Sequence, residues 1–543
     1  MSFSVRVSVV FALALLLAGE FLYFPGHTYL QSDTQIYVPI LDRLADPTLY
    51  RHDPVALRPH VSFTMYDEAA LLLRGVTGLG FESVLALQQL AYRFAGLIGV
   101  FLLGRACALT PPLAVLLAAC YGLGATIFGP SVLVAEYEPV PRGFAVPLLM
   151  LGIGLAARGR WLPAGAAVGW AILYHPPTAL PVLICGALAL WATREAGDRQ
   201  RWRVAMPIAA SIAIAWLMSK LQIGETEPQQ FFSRISPALE VLQRLRGSYN
   251  FVSIWIERWA THWLFVIGLA SLAWWRLRQV LPRFAVTLAG GLIVYGVVMI
   301  PLSYLLLEKA KWSLLPQLQP VRALLFVTLF AILGAVLNGI RAAQAGPLWA
   351  SLLWFAAAFA VTSQNDPGRL PWLAFADPLL RMRLLIFFAL AAVTIAAVRF
   401  PRLALVPALA LPFYLIPQIG KVKNYPVLDH PEIHALAGWA QANTGKDAIF
   451  QFPDAGQALY PGLFRVFAQR TVYVDWKGGG QVNLLEDFAT EWWKRWQAAG
   501  DPKATPETLA ALGIDFMVLQ PAHALAGREP DYRNAKYVVY RLR

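Results

Sequence analysis

Acidic residues follow the first apolar segment of the chain, at the start of a predicted helix. Asp33 comes directly before the amphipathic stretch TQIYVPILDRLA. Serine, aspartate and threonine are all good helix caps, so one interpretation of Asp33 in the motif SDT is an N-cap. The other is a general base, because a carboxylate fixed at this helix start can accept the proton of an attacking hydroxyl. The two interpretations are compatible.

A second acidic motif lies in the loop VLVAEYEPVPRG. If this loop is extended, Glu136 and Glu138 share one side of it, because side chains alternate with period two. Such a pair can hold a divalent cation such as Mg or Mn through oxygen ligands, and the alternative is a purely structural pair. Arg142 follows closely and is predicted to pair with one of these carboxylates or with a phosphate.

Three further residues are candidates for substrate binding. Arg322 opens an apolar segment, where a guanidinium serves as an anchor or clamps a phosphate in bidentate fashion. His175, in LYHPPTALP, is either a satisfied helix end or a proton carrier or ligand. Asp53 follows the amphipathic helix. Walker, nucleophile-elbow, HExxH and dinucleotide motifs are absent from the sequence, which argues against ATP-driven transport and soluble-cofactor chemistry.

The elements that carry these residues are mostly apolar. Of 543 residues, 58% are hydrophobic and 14% charged, and the mean hydropathy is +0.53. This composition excludes an ordinary soluble enzyme and a disordered chain. Apolar runs of about twenty residues are long enough to span a bilayer as helices. The sequence predicts a polytopic α-helical membrane protein with about 13 transmembrane helices, which begin near residues 5, 86, 110, 143, 161, 178, 204, 262, 284, 321, 347, 384 and 402.

Charge in the linkers predicts the orientation. Short linkers such as 157–161 and 276–283 are basic, whereas the linkers on the other side are longer and more acidic. The positive-inside rule makes the basic set cytoplasmic, so the N-terminus is predicted inside and the C-terminal domain in the periplasm. The net charge of +13 is then explained by orientation and anionic lipid, and no nucleic-acid partner is predicted.

The chain changes character near residue 420. From there to the end, 14 lysines and arginines balance 13 acids, and short β-like runs alternate with helices. We predict a transmembrane domain over 1–419, with a large first outer loop at 25–85, and a small soluble periplasmic α/β domain over 420–543. The Gly-rich turn WKGGG in this second domain is predicted to be a plain turn, or one whose backbone approaches a phosphate or sugar.

The chain resembles the GT-C superfamily of integral-membrane glycosyltransferases. Asp33 matches the early acidic position of that family's first outer loop, and Glu136-x-Glu138 matches its second acidic motif. The tail, with FRVFAQRTVYVDWKGGG and ATEWWKRW, is similar to that of a bacterial GT-C-like subfamily that carries a C-terminal periplasmic α/β domain. The chain departs from the better-known transferases because it has no Asp-Glu doublet at the first site.

The resemblance implies a bacterial inner-membrane glycosyltransferase. It would move a sugar from a polyprenyl-phosphate donor to an envelope glycan, lipid or protein on the periplasmic side. Asp33 would be the base, Glu136 and Glu138 helpers or metal ligands, and Arg322 with Arg142 the phosphate ligands. Two alternatives remain open from the sequence: a transporter or flippase of an envelope lipid or glycan, and a non-catalytic assembly protein with the same architecture.

Overall fold

A computed structural model describes residues 2–57, 64–193, 199–221, 232–363, 377–420, 428–483, 486–500 and 504–543. Within them, thirteen apolar helices coincide with the thirteen predicted segments. They are α1 Phe3–Leu22, α4 Phe81–Ala106, α5 Pro111–Gly122, α6 Pro141–Ala157, α7 Trp161–Tyr174, α8 Pro176–Ala192, α9 Ala205–Leu221, α11 Val252–Leu277, α12 Arg283–Ser303, α14 Leu324–Ala345, α15 Leu348–Thr362, α16 Pro378–Arg399 and α17 Pro401–Gly420.

By length and composition, six helical segments are able to cross a membrane. They are Phe3–Leu22, Phe81–Ala106, Arg283–Lys309, Leu315–Ala345, Pro378–Arg399 and Pro401–Ile419. Helices α5, α6, α7, α8 and α15 are shorter but equally apolar. The chain is a polytopic α-helical membrane protein with a small C-terminal sheet, as predicted, while the orientation of its termini and the number of helices that cross the bilayer stay predictions.

The helices pack closely where small residues meet. A Cβ added to Gly99 of α4 would lie 2.3 Å from the backbone oxygen of Met150 in α6, and one on Gly154 would lie 2.0 Å from the oxygen of Gly99. Such contacts require glycine, since any side chain would force the two backbones apart. This tight pair fixes the start of α6, which carries Arg142.

Four shorter helices lie between the apolar ones: α2 Thr34–Ala45, α3 Tyr66–Thr77, α10 Pro237–Arg246 and α13 Leu315–Leu318. Two 3-10 turns follow, at Ser248–Asn250 and Pro320–Ala323. Strands β1 Thr126–Ile127 and β2 Val132–Leu133 form a small antiparallel hairpin before α6. Helix α2 is buried on most of its sides, including Ile36, Val38, Ile40 and Leu41, whereas Leu44 near its end is exposed.

The C-terminal region contains a five-stranded mixed sheet. Its helices are α18 Pro431–Asn443, α19 Tyr460–Ala468, α20 Glu486–Ala499 and α21 Pro506–Ala511. Its strands are β3 Ile449–Gln451, β4 Thr471–Val472, β5 Phe516–Leu519, β6 Tyr532–Arg533 and β7 Val538–Arg541, in the order β4-β3-β5-β7-β6. Strand β3 pairs in parallel with β4 and β5, and β7 pairs antiparallel with β5 and β6. The division at 419/420 stays a prediction, and residues 421–427 lie outside the described part of the chain.

A buried ion-pair network joins the segment between α1 and α4 to this sheet region. The guanidinium of Arg465 donates to Asp53 at 2.7 Å and to Asp475 at 2.6 Å, and all three side chains are buried. Burial alone would lower the pKa of Arg465, but the two carboxylates outweigh it and raise that pKa. Asp475 begins the turn that leads to Lys477, so this network fixes the position of that turn against the segment between α1 and α4.

Replacing Arg465 with leucine is expected to destabilise the protein by about 3–5 kcal/mol, because two buried carboxylates lose their cation. Tryptophan-fluorescence thermal unfolding of the detergent-solubilised protein measures the effect. Arg51→Leu is the matched control, since Arg51 makes an exposed pair with Asp447 at 3.6 Å that contributes at most about 1 kcal/mol. Equal unfolding temperatures for the two variants would contradict a structural role for Arg465.

Candidate active site

The first part of the site is the start of α2. Asp33 occupies the N-cap position, but its side chain makes no capping hydrogen bond. Instead the carboxylate of Glu138 accepts hydrogen bonds from the backbone N–H groups of Ser32 and Asp33, both at 2.6 Å, and from the hydroxyl of Thr34 at 2.8 Å. A negative charge is favourable at a helix N-terminus. Glu138 therefore performs the capping, which leaves the carboxylate of Asp33 available for other contacts.

Asp33 lies between two cations from distant parts of the chain. The guanidinium of Arg142 donates to its Oδ2 at 2.9 Å, and Lys477 Nζ lies 2.5 Å from its Oδ1. Arg142 also donates through Nε to Glu136 at 2.6 Å, and Lys477 also donates to Ser32 Oγ at 2.8 Å. Two acids and two cations thus form one continuous cluster, which we call the Asp33 cluster: Asp33, Glu136, Arg142 and Lys477.

The Asp33 cluster is open to water on the side of the aspartate. The side chain of Asp33 is 25% exposed, whereas Arg142, Lys477 and Glu136 are 16%, 14% and 6% exposed. A substrate arriving from solvent would therefore meet the Asp33 carboxylate first. The cations behind it are held in place by their carboxylate partners and lose little conformational freedom when they bind an anion.

The pKa values of Asp33 and of its neighbour Glu138 shift in opposite directions. Burial by itself would raise the pKa of Asp33, but Lys477 and Arg142 outweigh it and hold that pKa well below its usual range. For Glu138, burial and the neighbouring charge of Asp33 raise the pKa, although its hydrogen bonds partly oppose this. Asp33 is consequently ionised at neutral pH while its two cations remain beside it.

A third cation adjoins the cluster in the 3-10 turn Pro320–Ala323, directly before α14. Arg322 lies within electrostatic range of Asp33, Glu136 and Arg142. Its guanidinium stacks 4.6 Å from the ring centre of Tyr249 and donates to Gln319. The Nε of Arg322 is buried and, within the described residues, has no hydrogen-bond partner. An unsatisfied guanidinium N–H at this position is suited to an incoming anion.

The Gly-rich turn carries Lys477 to Asp33. Residues Lys477–Asn483 form a 3-10 turn that packs on Trp492 of α20. A Cβ on Gly479 would lie 2.5 Å from the Trp492 ring and 2.8 Å from Arg246 Nε. Glycine is required here because the turn lies directly against a buried tryptophan. The motif is thus more than a plain turn, since it brings a lysine to the Asp33 cluster.

Gly479→Ala is expected to destabilise the protein by about 1–3 kcal/mol, because the added methyl group overpacks the contact with Trp492. Thermal unfolding tests this, with Gly438→Ala in α18 as the control, since a Cβ at Gly438 would meet nothing within 4 Å. A helical Gly→Ala change without a clash is neutral or stabilising. An unfolding temperature as high for Gly479→Ala as for Gly438→Ala would contradict the packing argument.

The arrangement of acids does not favour a divalent cation. Both oxygens of Glu138 accept hydrogen bonds from Ser32, Asp33 and Thr34 at the start of α2, and Glu136 is paired with Arg142. Among the described residues, no group of three His, Cys, Asp or Glu side chains lies close enough together to hold a metal ion. The Mg or Mn site at Glu136 and Glu138 stays a prediction, and no step proposed below passes through a metal.

The other predicted residues lie as follows. His175 is at the start of α8, where its Nδ1 accepts from the Thr178 N–H at 3.2 Å, which is the helix-end arrangement. Asp53 belongs to the buried Arg465 network and accepts from the Val472 N–H at 3.2 Å. These contacts indicate that Asp53 helps to position the C-terminal region. Both assignments to substrate binding stay predictions.

Lys477 and Tyr249 belong to the site but were not predicted as site residues. Lys477 is 444 positions from its partner Asp33, and no periodicity in the sequence links the two. The sequence feature that points to Lys477 is its position directly before three glycines, because glycines allow the backbone to approach other groups closely. Tyr249 lies two residues after Gly247 in a region without a chemical motif, and no sequence pattern indicates its contact with Arg322.

Comparisons with known proteins give three findings. A family model described as a domain of unknown function (DUF6798) matches residues 431–499, which include Arg465, Asp475 and Lys477. No curated protein matches the chain significantly. Among solved structures, the chain is similar to ArnT from Cupriavidus metallidurans bound to undecaprenyl phosphate, with a TM-score of 0.47, 16% identity, and coverage of 98% of this chain and 96% of that one.

The chain is also similar to the arabinofuranosyltransferase AftD from Mycobacteria, with a TM-score of 0.47 and 15% identity. That match covers 100% of this chain and 40% of AftD.

Proposed function

We propose that the protein is a membrane glycosyltransferase that transfers a sugar from a polyprenyl-phosphate donor to an acceptor hydroxyl at the periplasmic face of the bacterial inner membrane. The observation that carries this proposal is the Asp33 cluster, in which one partly exposed carboxylate lies between two cations. A lipid-linked sugar phosphate is already activated, so it needs no nucleotide-binding loop. The acceptor is an envelope glycan, lipid or protein.

The cations are suited to the phosphate. Arg322 lies in the 3-10 turn before α14, at the predicted outer surface of the bilayer, and its Nε has no hydrogen-bond partner among the described residues. Lys477 and Arg142 both contact Asp33 in the same region. Guanidinium and ammonium groups stabilise the negative charge that develops on the departing phosphate. The polyprenyl chain would then extend into the lipid beside the apolar helices.

Asp33 is placed to act on the acceptor. The acceptor oxygen forms a bond to the anomeric carbon, and the bond from that carbon to the phosphate oxygen breaks. The polyprenyl phosphate leaves with the electron pair, and the acceptor's proton passes to the Asp33 carboxylate. An incoming phosphate competes with Asp33 for Lys477 and Arg142. That competition raises the pKa of Asp33 only when donor is bound, because the carboxylate then loses part of its cationic environment.

A transfer assay tests the proposal. Purified protein in lipid nanodiscs is supplied with undecaprenyl phosphate carrying radiolabelled glucose, mannose, galactose or arabinose, together with an envelope extract as acceptor. We expect at least one label to leave the lipid and appear in an acceptor, with release of undecaprenyl phosphate. Label that stays on its lipid in every case would contradict the proposal. If the protein in liposomes then moves the intact sugar lipid across the bilayer, the transporter alternative is supported instead.

A further inference from the structure

Four buried amide side chains lie beside the Asp33 cluster with unsatisfied atoms. They come from two segments, α10 with the turn after it and the turn Lys477–Asn483, and each is at most 3% exposed: Gln243, Asn250, Gln481 and Asn483. Neither amide atom of Gln481 or Asn250 has a hydrogen-bond partner within the described residues. The same holds for the side-chain oxygens of Gln243 and Asn483. Each unsatisfied buried polar group costs about 1–3 kcal/mol.

These two segments contact each other directly. A Cβ on Gly247 would lie 2.1 Å from Asn483 Oδ1, and one on Gly479 would lie 2.8 Å from Arg246 Nε. Gln243 lies one helical turn before Arg246 and Gly247, so it lies on the same face of α10. Gln243 and Asn483 therefore lie at the contact between α10 and the Gly-rich turn. Gln481 belongs to the same Gly-rich turn, and Asn250 belongs to the 3-10 turn that carries Tyr249, the hydrogen-bond partner of Asn483.

The interface is continuous with the proposed phosphate-binding cations. Asn483 Nδ2 donates to the Tyr249 hydroxyl at 3.1 Å, and the Tyr249 ring stacks under Arg322. At its other end the same Gly-rich turn begins with Lys477, which contacts Asp33. A group attached to a phosphate held by Arg322 and Lys477 would therefore lie next to the amides.

The chemistry of the unsatisfied atoms limits what this group can be. Four amide oxygens without partners need hydrogen-bond donors, and a phosphate supplies acceptors almost exclusively. The unpartnered N–H₂ groups of Gln481 and Asn250 need acceptors as well. A sugar hydroxyl both donates and accepts, so a ring with several hydroxyls satisfies both needs.

We propose that Gln243, Asn250, Gln481 and Asn483 form the subsite that binds the hydroxyl groups of the sugar on the lipid-linked donor. This inference rests on the proposed function, because it takes the phosphate position from it. The amides would then select sugar-bearing lipid over bare polyprenyl phosphate, which is the product and would leave the site more readily.

Equilibrium binding to the full-length protein in nanodiscs tests the amide subsite separately from the proposed function. The probes are bare undecaprenyl phosphate and the same lipid phosphate carrying glucose, mannose, galactose or arabinose. We expect at least one sugar lipid to bind about tenfold more tightly than the bare lipid, the effect of one or two hydrogen bonds. Gln481→Leu and Asn250→Leu should each remove most of that difference and leave the affinity for bare lipid within about twofold of wild type.

The variants should fold, because leucine replaces an unsatisfied amide of similar size, and their unfolding temperatures should equal or exceed that of wild type. Gln497→Leu, at an exposed position of α20, is the matched control and should keep the preference for sugar lipid. If bare lipid binds but no sugar lipid binds more tightly, or if Gln481→Leu and Asn250→Leu both keep the preference, the amides hold only water and the inference is wrong. If bare lipid does not bind at all, the proposed function fails and the inference fails with it.

Discussion

Replacing Asp33 with asparagine is expected to lower the rate of sugar transfer by at least about 100-fold, the usual contribution of a positioned general base. Binding of the lipid should change in the opposite direction. Asparagine removes the carboxylate that neutralises Lys477 and Arg142, so bare undecaprenyl phosphate should bind as tightly as to wild type or more tightly. The measurements are single-turnover transfer and equilibrium binding in nanodiscs.

The matched control is Asp46→Asn. Asp46 is the C-cap of α2, at the opposite end of the helix from Asp33, and its side chain bonds Thr48 and Lys446 at the surface. We expect wild-type transfer from this control. Asp33→Asn protein that transfers sugar at the wild-type rate would exclude Asp33 as the base. A parallel loss of lipid binding and transfer would instead give Asp33 a structural role.

Replacing Lys477 with methionine should weaken binding of undecaprenyl phosphate by about 10- to 100-fold. The loss corresponds to one charge-assisted hydrogen bond to an anion, about 1.5–3 kcal/mol, at about 1.4 kcal/mol per factor of ten. Methionine retains most of the length and apolar surface of lysine, so the Gly-rich turn should still pack on Trp492. Transfer at saturating donor should fall less than affinity does, because Asp33 remains.

Lys494→Met is the control for this prediction, since Lys494 is exposed on α20 of the same region. Affinity for undecaprenyl phosphate should be unchanged in that variant. Equal affinities of Lys477→Met and wild type would show that the lysine only pairs with Asp33. The contribution of the C-terminal region to the site would then be structural.

The apolar part of the fold could be predicted because a hydrophobic run long enough to span a bilayer forms a helix. Thirteen apolar helices lie where the sequence indicated them, and the chain ends in a small sheet as the alternation of helices and β-like runs indicated. The buried pair of Arg465 with Asp53 could not be predicted, because the two residues are 412 positions apart and each has the sequence surroundings of a solvated charge.

For the site, the types of the residues predicted which side chains take part better than their spacing predicted their partners. Asp33 and Glu136 both contact Arg142, and Arg322 is within electrostatic range of all three. The two-residue spacing of Glu136 and Glu138 did not predict their partners. Glu136 pairs with Arg142, whereas Glu138 accepts hydrogen bonds at the start of α2. Lys477 was missed because tertiary packing of a Gly-rich turn on Trp492, which has no local sequence signature, brings it to Asp33.

The most direct test of the account is a cryo-EM structure of the protein in nanodiscs with undecaprenyl phosphate. The account predicts phosphate density within hydrogen-bond distance of Lys477 and Arg322, with the prenyl chain running along the apolar helices and the Asp33 carboxylate free toward water. Phosphate density at any other position, with Lys477 and Arg142 still paired to Asp33, would contradict it.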